Sequence, residues 1–165
     1  MVKTKLNKML FALVLCFVLA PKLHADHRSL NLYIEKFSED VASKKGLTFT
    51  TSLEFGEKKI KEVSLFYSST KPQGLEETRE LIIKLTKEFL DGLNKNSLIK
   101  PDLENYPFTA DQMDFTIFFR DSSGKYAKKP KIAQVSLNKG IITFYKYQQG
   151  SFQVVEEEEI GKLVQ

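Results

Sequence analysis

Apolar and polar positions along this chain follow two rhythms, and the changes from one to the other mark out its elements. Leu30, Tyr33, Ile34, Phe37 and Val41 recur at the helical period, and Gly46 stops the pattern after Lys44-Lys45. Ser29 or Asp26 is placed to cap the start of this helix. From Leu47 the rhythm drops to two. Leu47, Phe49, Thr51, Leu53 and Phe55 alternate with Thr48, Thr50, Ser52 and Glu54, which predicts a strand with one buried face. Gly56-Glu57-Lys58-Lys59 reads as a turn, and Ile60 to Ser69 as the return strand of a hairpin, with Val63, Leu65 and Tyr67 on one face and Phe66 on the other. Pro72-Gln73-Gly74 breaks the chain. A second helix is predicted from near Leu75, with Glu76 and Glu77 in the first turn, where the helix dipole favours acids. Leu75, Ile82, Leu85, Phe89 and Leu93 form its core stripe, widened by Leu81 and Leu90, and it fades at Asn94-Lys95-Asn96.

A long connection, Ser97 to Gln112, comes next. Thr109 and Gln112 have the spacing of a capping box, which predicts a single helical turn there. A connection of this length is unusual inside a domain and is a natural place to look for function. The last third predicts a β-meander: Met113 to Phe119, Ile132 to Asn138, Ile141 to Tyr147 and a short strand from Phe152 to Val155, with Glu156 to Glu159 leading into a C-terminal turn. A two-residue loop at Lys139-Gly140 pairs Leu137 with Ile142 and Val135 with Phe144. A three-residue loop strands Ile142 and Phe144 beside Gln134 and Ser136, so the first register separates apolar from polar more cleanly. The order is α-β-β-α-β-β-β-β: an α+β domain, with helices packed on one face of a single antiparallel sheet.

The N-terminus belongs to a different class. Lys3, Lys5 and Lys8 precede twelve uninterrupted apolar residues, Met9 to Ala20, a run too short to span about 30 Å of hydrocarbon as a helix. Pro21 to Ala25 form a polar end. These are the parts of a secretory signal peptide. Pro21 makes a cut after Ala20 unfavourable, so residues 1–25 are assigned as the signal peptide and 26–165 as a single domain. Cys16 has the outline of a lipobox, but Leu15 before it is large and the apolar run continues past it, so Cys16 reads as one more apolar residue of the segment. No second apolar stretch reaches eighteen residues, and the mature chain carries no transmembrane segment.

Removing that segment changes the charge picture. The whole chain has a formal charge of +4, from 25 Lys+Arg against 21 Asp+Glu, and the first 25 residues hold four lysines and no acid. The remainder is balanced, which argues against nucleic acid as a partner. The remainder also has no cysteine and one histidine, His27, close to a terminus that is usually frayed. Cysteine catalysis, thiolate metal sites, Ser–His pairs and ordinary zinc sites are thereby excluded, and no cofactor or metal is expected. Asp102, Glu104, Asp111 and Asp114 cluster around the long connection. A carboxylate-based hydrolase of envelope glycan needs two such acids facing each other about 5–10 Å apart, whereas a solvated loop needs nothing more of them. Glu156 to Glu159 reads as a solvated edge, and Lys128, Lys129 and Lys131 as a soluble hairpin tip.

Most aromatics fall at core spacing. The exceptions are Phe118, Tyr145 and Tyr147, placed on the outward face of the sheet by the chosen register, with Tyr106 and Phe108 in the long connection. These five are the candidate binding residues, since aromatics combine apolar area with little rotamer entropy. Their partner is a protein or a second copy of this chain, which makes the expected function that of an exported, non-catalytic binding module. Asn105-Tyr-Pro-Phe-Thr109, Phe115-Thr-Ile-Phe-Phe-Arg-Asp121, the Lys139-Gly140 hairpin and the tract Arg79 to Asn94 resemble a group of small exported bacterial proteins of unknown function, over roughly residues 60–150. That resemblance implies a bacterial, exported origin, periplasmic or secreted, and brings no catalytic residue with it. The first expectation is therefore a mature N-terminus at Asp26. N-terminal sequencing of the protein from an expressing bacterium checks it, and a chain beginning at Met1 or lipidated at Cys16 rules it out.

Overall fold

Helix α1 (Arg28–Lys45) forms where the apolar stripe demands it, and Gly46 ends it in the left-handed conformation, its N–H bonding to the Ala42 carbonyl at 3.2 Å. A computed structural model describes residues 27–162; the expected signal peptide, with Cys16, the Ala25 junction and Asp26, lies outside them. His27 occupies the capping position of α1 without a side-chain bond, and it is buried, not frayed. Ser29 lies inside the helix and does not cap it. Strands β1 (Thr48–Phe55) and β2 (Glu62–Ser69) form a hairpin, succeeded by helix α2 (Leu75–Lys95). Strands β3 (Met113–Phe119), β4 (Gln134–Asn138), β5 (Ile141–Gln148) and β6 (Ser151–Glu159) complete a six-stranded sheet in which spatial order equals sequence order. The class is α+β and the element order is the expected one.

Strand direction is the correction. β2 and β3 pair in parallel, Val63 opposite Met113 through Ser69 opposite Phe119, while every other neighbouring pair is antiparallel. The sheet is mixed, not purely antiparallel. Parallel strands need a crossover long enough to return the chain to its starting end, and α2 with the connection after it supplies that crossover. The β4–β5 hairpin takes the expected register, with Leu137 opposite Ile142 and Val135 opposite Phe144. Lys139 and Gly140 form its two-residue loop at φ 47° and 76°, the positive values that such turns require.

Cross-strand register defines the layers. Phe49, Tyr67, Ile117, Val135, Phe144 and Glu156 form one row across all six strands, so their side chains share one face. Ser38 of α1 meets the Tyr67 hydroxyl at 2.8 Å, and the Arg79 guanidinium of α2 lies 5.4 Å from the centre of the Phe144 ring. Both helices therefore cover the same face, and the core lies between them and the sheet. Burial pushes the Tyr67 phenol up to about 12, against the smaller downward pull of the Ser38 hydrogen bond.

Two strands depart from the alternation. β1 bulges between Phe49 and Thr51, and the extra residue moves the rest of the strand to the opposite facing. Leu53 and Phe55 land on the face without helices, so β1 has no buried face of its own; its residues are exposed apart from the half-buried Ser52. β6 runs on to Glu159 and absorbs the acidic run as strand. A second irregularity, between Phe144 and Tyr145, sets Glu156 and Glu158 on the helix side. There Arg79 holds both: Nη2 meets Glu156 at 2.6 Å and Nε meets the two Glu158 oxygens at 2.9 and 3.1 Å, while Nη1 pairs with Glu76. The run is thus partly a tie between α2 and the sheet, not simply a solvated edge.

The connection after α2 closes one end of the core. Ile99, Leu103 and Phe108 are buried, and Asn94 accepts the Phe108 N–H at 2.7 Å and donates to its carbonyl at 2.8 Å. Its expected turn is present at Ala110–Gln112, capped by the Gln112 side chain on the Thr109 N–H at 3.0 Å. The helices approach closely at Gly92. A Cβ there would overlap the Tyr33 hydroxyl and stand 3.1 and 3.2 Å from ring atoms Cζ and Cε2. Gly92→Ala gains about 1 kcal/mol of helix propensity, but overpacking of a filled contact costs about 1–3 kcal/mol and displaces the Tyr33 hydrogen bond to the Phe89 carbonyl. Urea denaturation is expected to show a net loss, smaller in the Tyr33→Phe background; a stabilised Gly92→Ala protein overturns this packing account.

Candidate binding face

The face without helices is built from three rows. The first runs Thr48, Ser68, Phe118, Gln134, Tyr145 and Val154; the second Thr51, Phe66, Thr116, Ser136, Thr143 and Glu157; the third Leu53, Ser64, Asp114, Asn138, Ile141 and Glu159. Hydroxyls dominate the middle row, broken by Phe66 and Glu157, and most of the other aromatic and acidic groups separate toward the corners.

One corner is aromatic. Phe118 and Tyr145 lie in the first row, and Tyr147 pairs with Phe152 just beyond it. Tyr126 joins them because Arg120 and Tyr126 bridge, folding the loop after β3 back along the strand. Its ring centre lies 5.0 Å from Tyr147, 4.8 Å from Phe152 and 6.3 Å from Phe118, and the Arg120 guanidinium stacks 4.4 Å from it. Tyr145 and Tyr147 stand 6.3 and 5.3 Å from Phe152. These rings half-bury one another, and such contacts contribute about 0.5–1.5 kcal/mol each beyond area burial. Val154, in the same row as Tyr145, stays 57% exposed.

The opposite corner carries acids. Asp114 accepts from the Ser64 hydroxyl at 3.2 Å and from the Asn138 amide, and Glu62 approaches it. Desolvation first, and the Asp114 carboxylate second, push the Glu62 carboxyl above its ordinary range.

Of the five residues chosen from sequence, the structure brings together Phe118, Tyr145 and Tyr147. Phe108 is 1% exposed and belongs to the core. Tyr106 is half-exposed at the far end of α2, its hydroxyl donating to the Asn94 carbonyl at 3.2 Å and its ring 4.0 Å from the Lys100 ammonium. Tyr126 and Phe152 complete the cluster and were not selected. Pairing of Phe152 with Tyr147 across the Gln148–Ser151 turn is the signal that identifies the second of them; nothing local places Tyr126.

The four acids of the 102–114 stretch divide between two places, Asp102 and Glu104 beside residues 60–61 and Asp111 and Asp114 beside the β4–β5 hairpin. The Asp102 carbonyl accepts from the Ile60 N–H, Glu104 pairs with Lys61 at 3.6 Å, Asp111 lies beside Gly140, and Asp114 is on the sheet face. Among the described residues no group of three or more His, Cys, Asp or Glu side chains gathers to hold a metal, and no helix is long and apolar enough to cross a membrane. Compared with models of known families, with curated proteins and with solved structures, the chain finds no match in any of the three.

A carboxyl raised in the folded state binds its proton more tightly folded than unfolded. Stability from Glu62 therefore falls as pH rises from the ordinary glutamate value through the raised one, and its penalty is fully present above the raised value. Glu62→Gln is expected to stabilise the protein at about pH 7, by less than about 1 kcal/mol because solvent screens the site, with the gain gone below about pH 4. Urea midpoints across that interval check it; an equal gain at both ends assigns the effect to something other than charge.

Proposed function

We propose that this chain is an exported, non-catalytic binding module, released by cleavage after Ala25 to the periplasm or the exterior, that docks a protein through the face of its sheet that carries no helix. One observation carries the reading: both helices cover the same face, and the other presents a half-buried aromatic cluster beside exposed Val154, with exposed Ile141 at its other end. A sheet face that only meets water needs polar side chains. Rings with polar tips, held rigid by one another, suit a protein interface, where aromatics and arginine are enriched.

Glu62, Asp114 and Glu157 on the same face repel phosphate, which weighs against nucleic acid. The hydrolase alternative is the weaker reading, since Asp102 and Glu104 lie apart from Asp111 and Asp114, and Asp114 is already engaged by Ser64 and Asn138.

Truncating a tyrosine of the cluster also removes ring packing, so the cleaner probe is Val154, whose side chain is mostly in water. Capture of a partner from the native envelope fraction is expected with the purified protein as bait. It should weaken at least tenfold in Val154→Lys, a loss of about 1.4 kcal/mol, at unchanged melting temperature, and in Tyr145→Ser and Tyr147→Ser as well. A Val154→Lys bait that keeps its partner places binding elsewhere on the molecule and overturns the reading.

A further inference from the structure

The surface between the two helices differs in kind from the sheet face. On α1, Tyr33, Phe37, Val41 and Lys45 recur at intervals of four, which puts them in one line along the helix. On α2, Lys84, Glu88 and Gly92 do the same. The two lines border a groove of about 830 Å³, within the size range of small-molecule sites. Its floor is apolar: Tyr33 and Phe37 are half-buried, Val41 is buried beneath them, and Leu32 and Leu98 project at 56% and 72% exposure. Gly92, with no side chain, lets the Tyr33 ring lie against α2.

The rim is cationic. Lys36, Lys44, Lys45, Lys84 and Lys95 stand against two acids, Asp40 and Glu88, a surplus of three positive charges. Both acids are already engaged, Asp40 with Lys44 at 3.3 Å and Glu88 with Lys84 at 4.0 Å. Lys36, Lys45 and Lys95 have no ion pair among the described residues. The carbonyl end of α1 accounts for Lys44 and Lys45 on their own helix. It does not account for Lys84, which reaches across from α2 and holds the Lys45 ammonium below the ordinary lysine range. Glu88 faces Lys45 as well and offsets part of that repulsion, but Lys44, Lys45 and Lys84 outnumber Asp40 and Glu88 at the head of the apolar track, and this positive excess suits an anionic group.

We propose that this groove binds an amphiphile with one acyl chain and one anionic headgroup, the chain lying along Val41, Phe37 and Tyr33 and the headgroup between Lys45 and Lys84. From Lys45 to Tyr33 the track is roughly 18 Å long at 1.5 Å per residue. Along α1 its apolar floor is the single line Val41, Phe37 and Tyr33, flanked by a line in which Lys36, Asp40 and Lys44 are charged, which suits a run of methylenes better than the broad apolar stripe of a docking helix. Charge and shape thus select the same ligand class. The site lies on the face of the sheet opposite the one proposed to dock a protein, so either can stand without the other.

Titration calorimetry of the purified protein with palmitate, kept below its micellar range, tests this. Binding of one palmitate per chain is expected, weakened at least tenfold in the Lys45→Gln/Lys84→Gln double variant and weakened in Leu98→Asp, whose exposed position spares the fold. Hexadecanol, with the same chain and no charge, should bind the unaltered protein no better than palmitate binds the double variant. Val154→Lys should leave palmitate binding unchanged; if it abolishes binding, the amphiphile sits on the sheet face and the proposal fails. Absence of binding overturns it too, as does equal affinity for palmitate and hexadecanol, or an acidic amphipathic peptide that binds the groove where palmitate does not.

Discussion

Pairing β2 with β3 in parallel obliges the chain to return to the end of the sheet from which β2 began, and most of the architecture depends on that return. Helix α2 makes the journey, and its stripe of Ile82, Leu85, Phe89 and Leu93 has to be buried against the sheet it crosses. α1 packs beside it on the same face. A helix of 21 residues spans roughly 32 Å, whereas the 8 residues of β2 span roughly 26 Å. The helix overshoots, and the connection from 97 to 112 brings the chain back. Its length has a geometric origin, and Ile99, Leu103 and Phe108 turn it into a lid on the core. Placing both helices on one side also leaves the opposite side bare.

Charge reinforces the arrangement where packing is thinnest. β6 lies at the edge of the sheet, and Arg79 of α2 reaches across to it. Arg79 meets Glu156 and Glu158 with its planar fork while its own helix supplies Glu76. Alternation within the acidic run matters here: residues two apart point to the same side, so one arginine can hold two of the four glutamates. The fold therefore converts a charge excess that would otherwise repel itself into a clamp between layers.

Much of this was legible because periodicity is a local signal. The α1 stripe, the Gly46 stop, the capped turn at Thr109–Gln112 and the Lys139-Gly140 register all rest on residues within a few positions of one another. The illegible features depend on longer range. Alternation in Met113 to Phe119 reads the same whether the neighbouring strand runs with it or against it, so parallel pairing leaves no local mark. One extra residue at Thr50 sends Leu53 and Phe55 to the other face, and nothing in Thr-Phe-Thr-Thr-Ser announces a bulge. Three of the five chosen aromatics, Phe118, Tyr145 and Tyr147, gather on one face because the meander register was sound. Phe108 went inward because Asn94, fourteen positions away, holds its main chain at the end of α2.

The two margins of the sheet are chemically unlike. β6 ends in four glutamates and is kinked by its irregular pairing with β5, features that keep a foreign strand from adding to it. β1 offers Thr-Phe-Thr-Thr-Ser-Leu-Glu-Phe, with one charge in eight residues and apolar groups on both of its surfaces. β1 is bulged as well, between Phe49 and Thr51, so both margins carry an irregularity and what separates them is charge. The sheet is therefore electrostatically lopsided: an approaching strand meets a wall of carboxylates at β6 and an almost uncharged margin at β1.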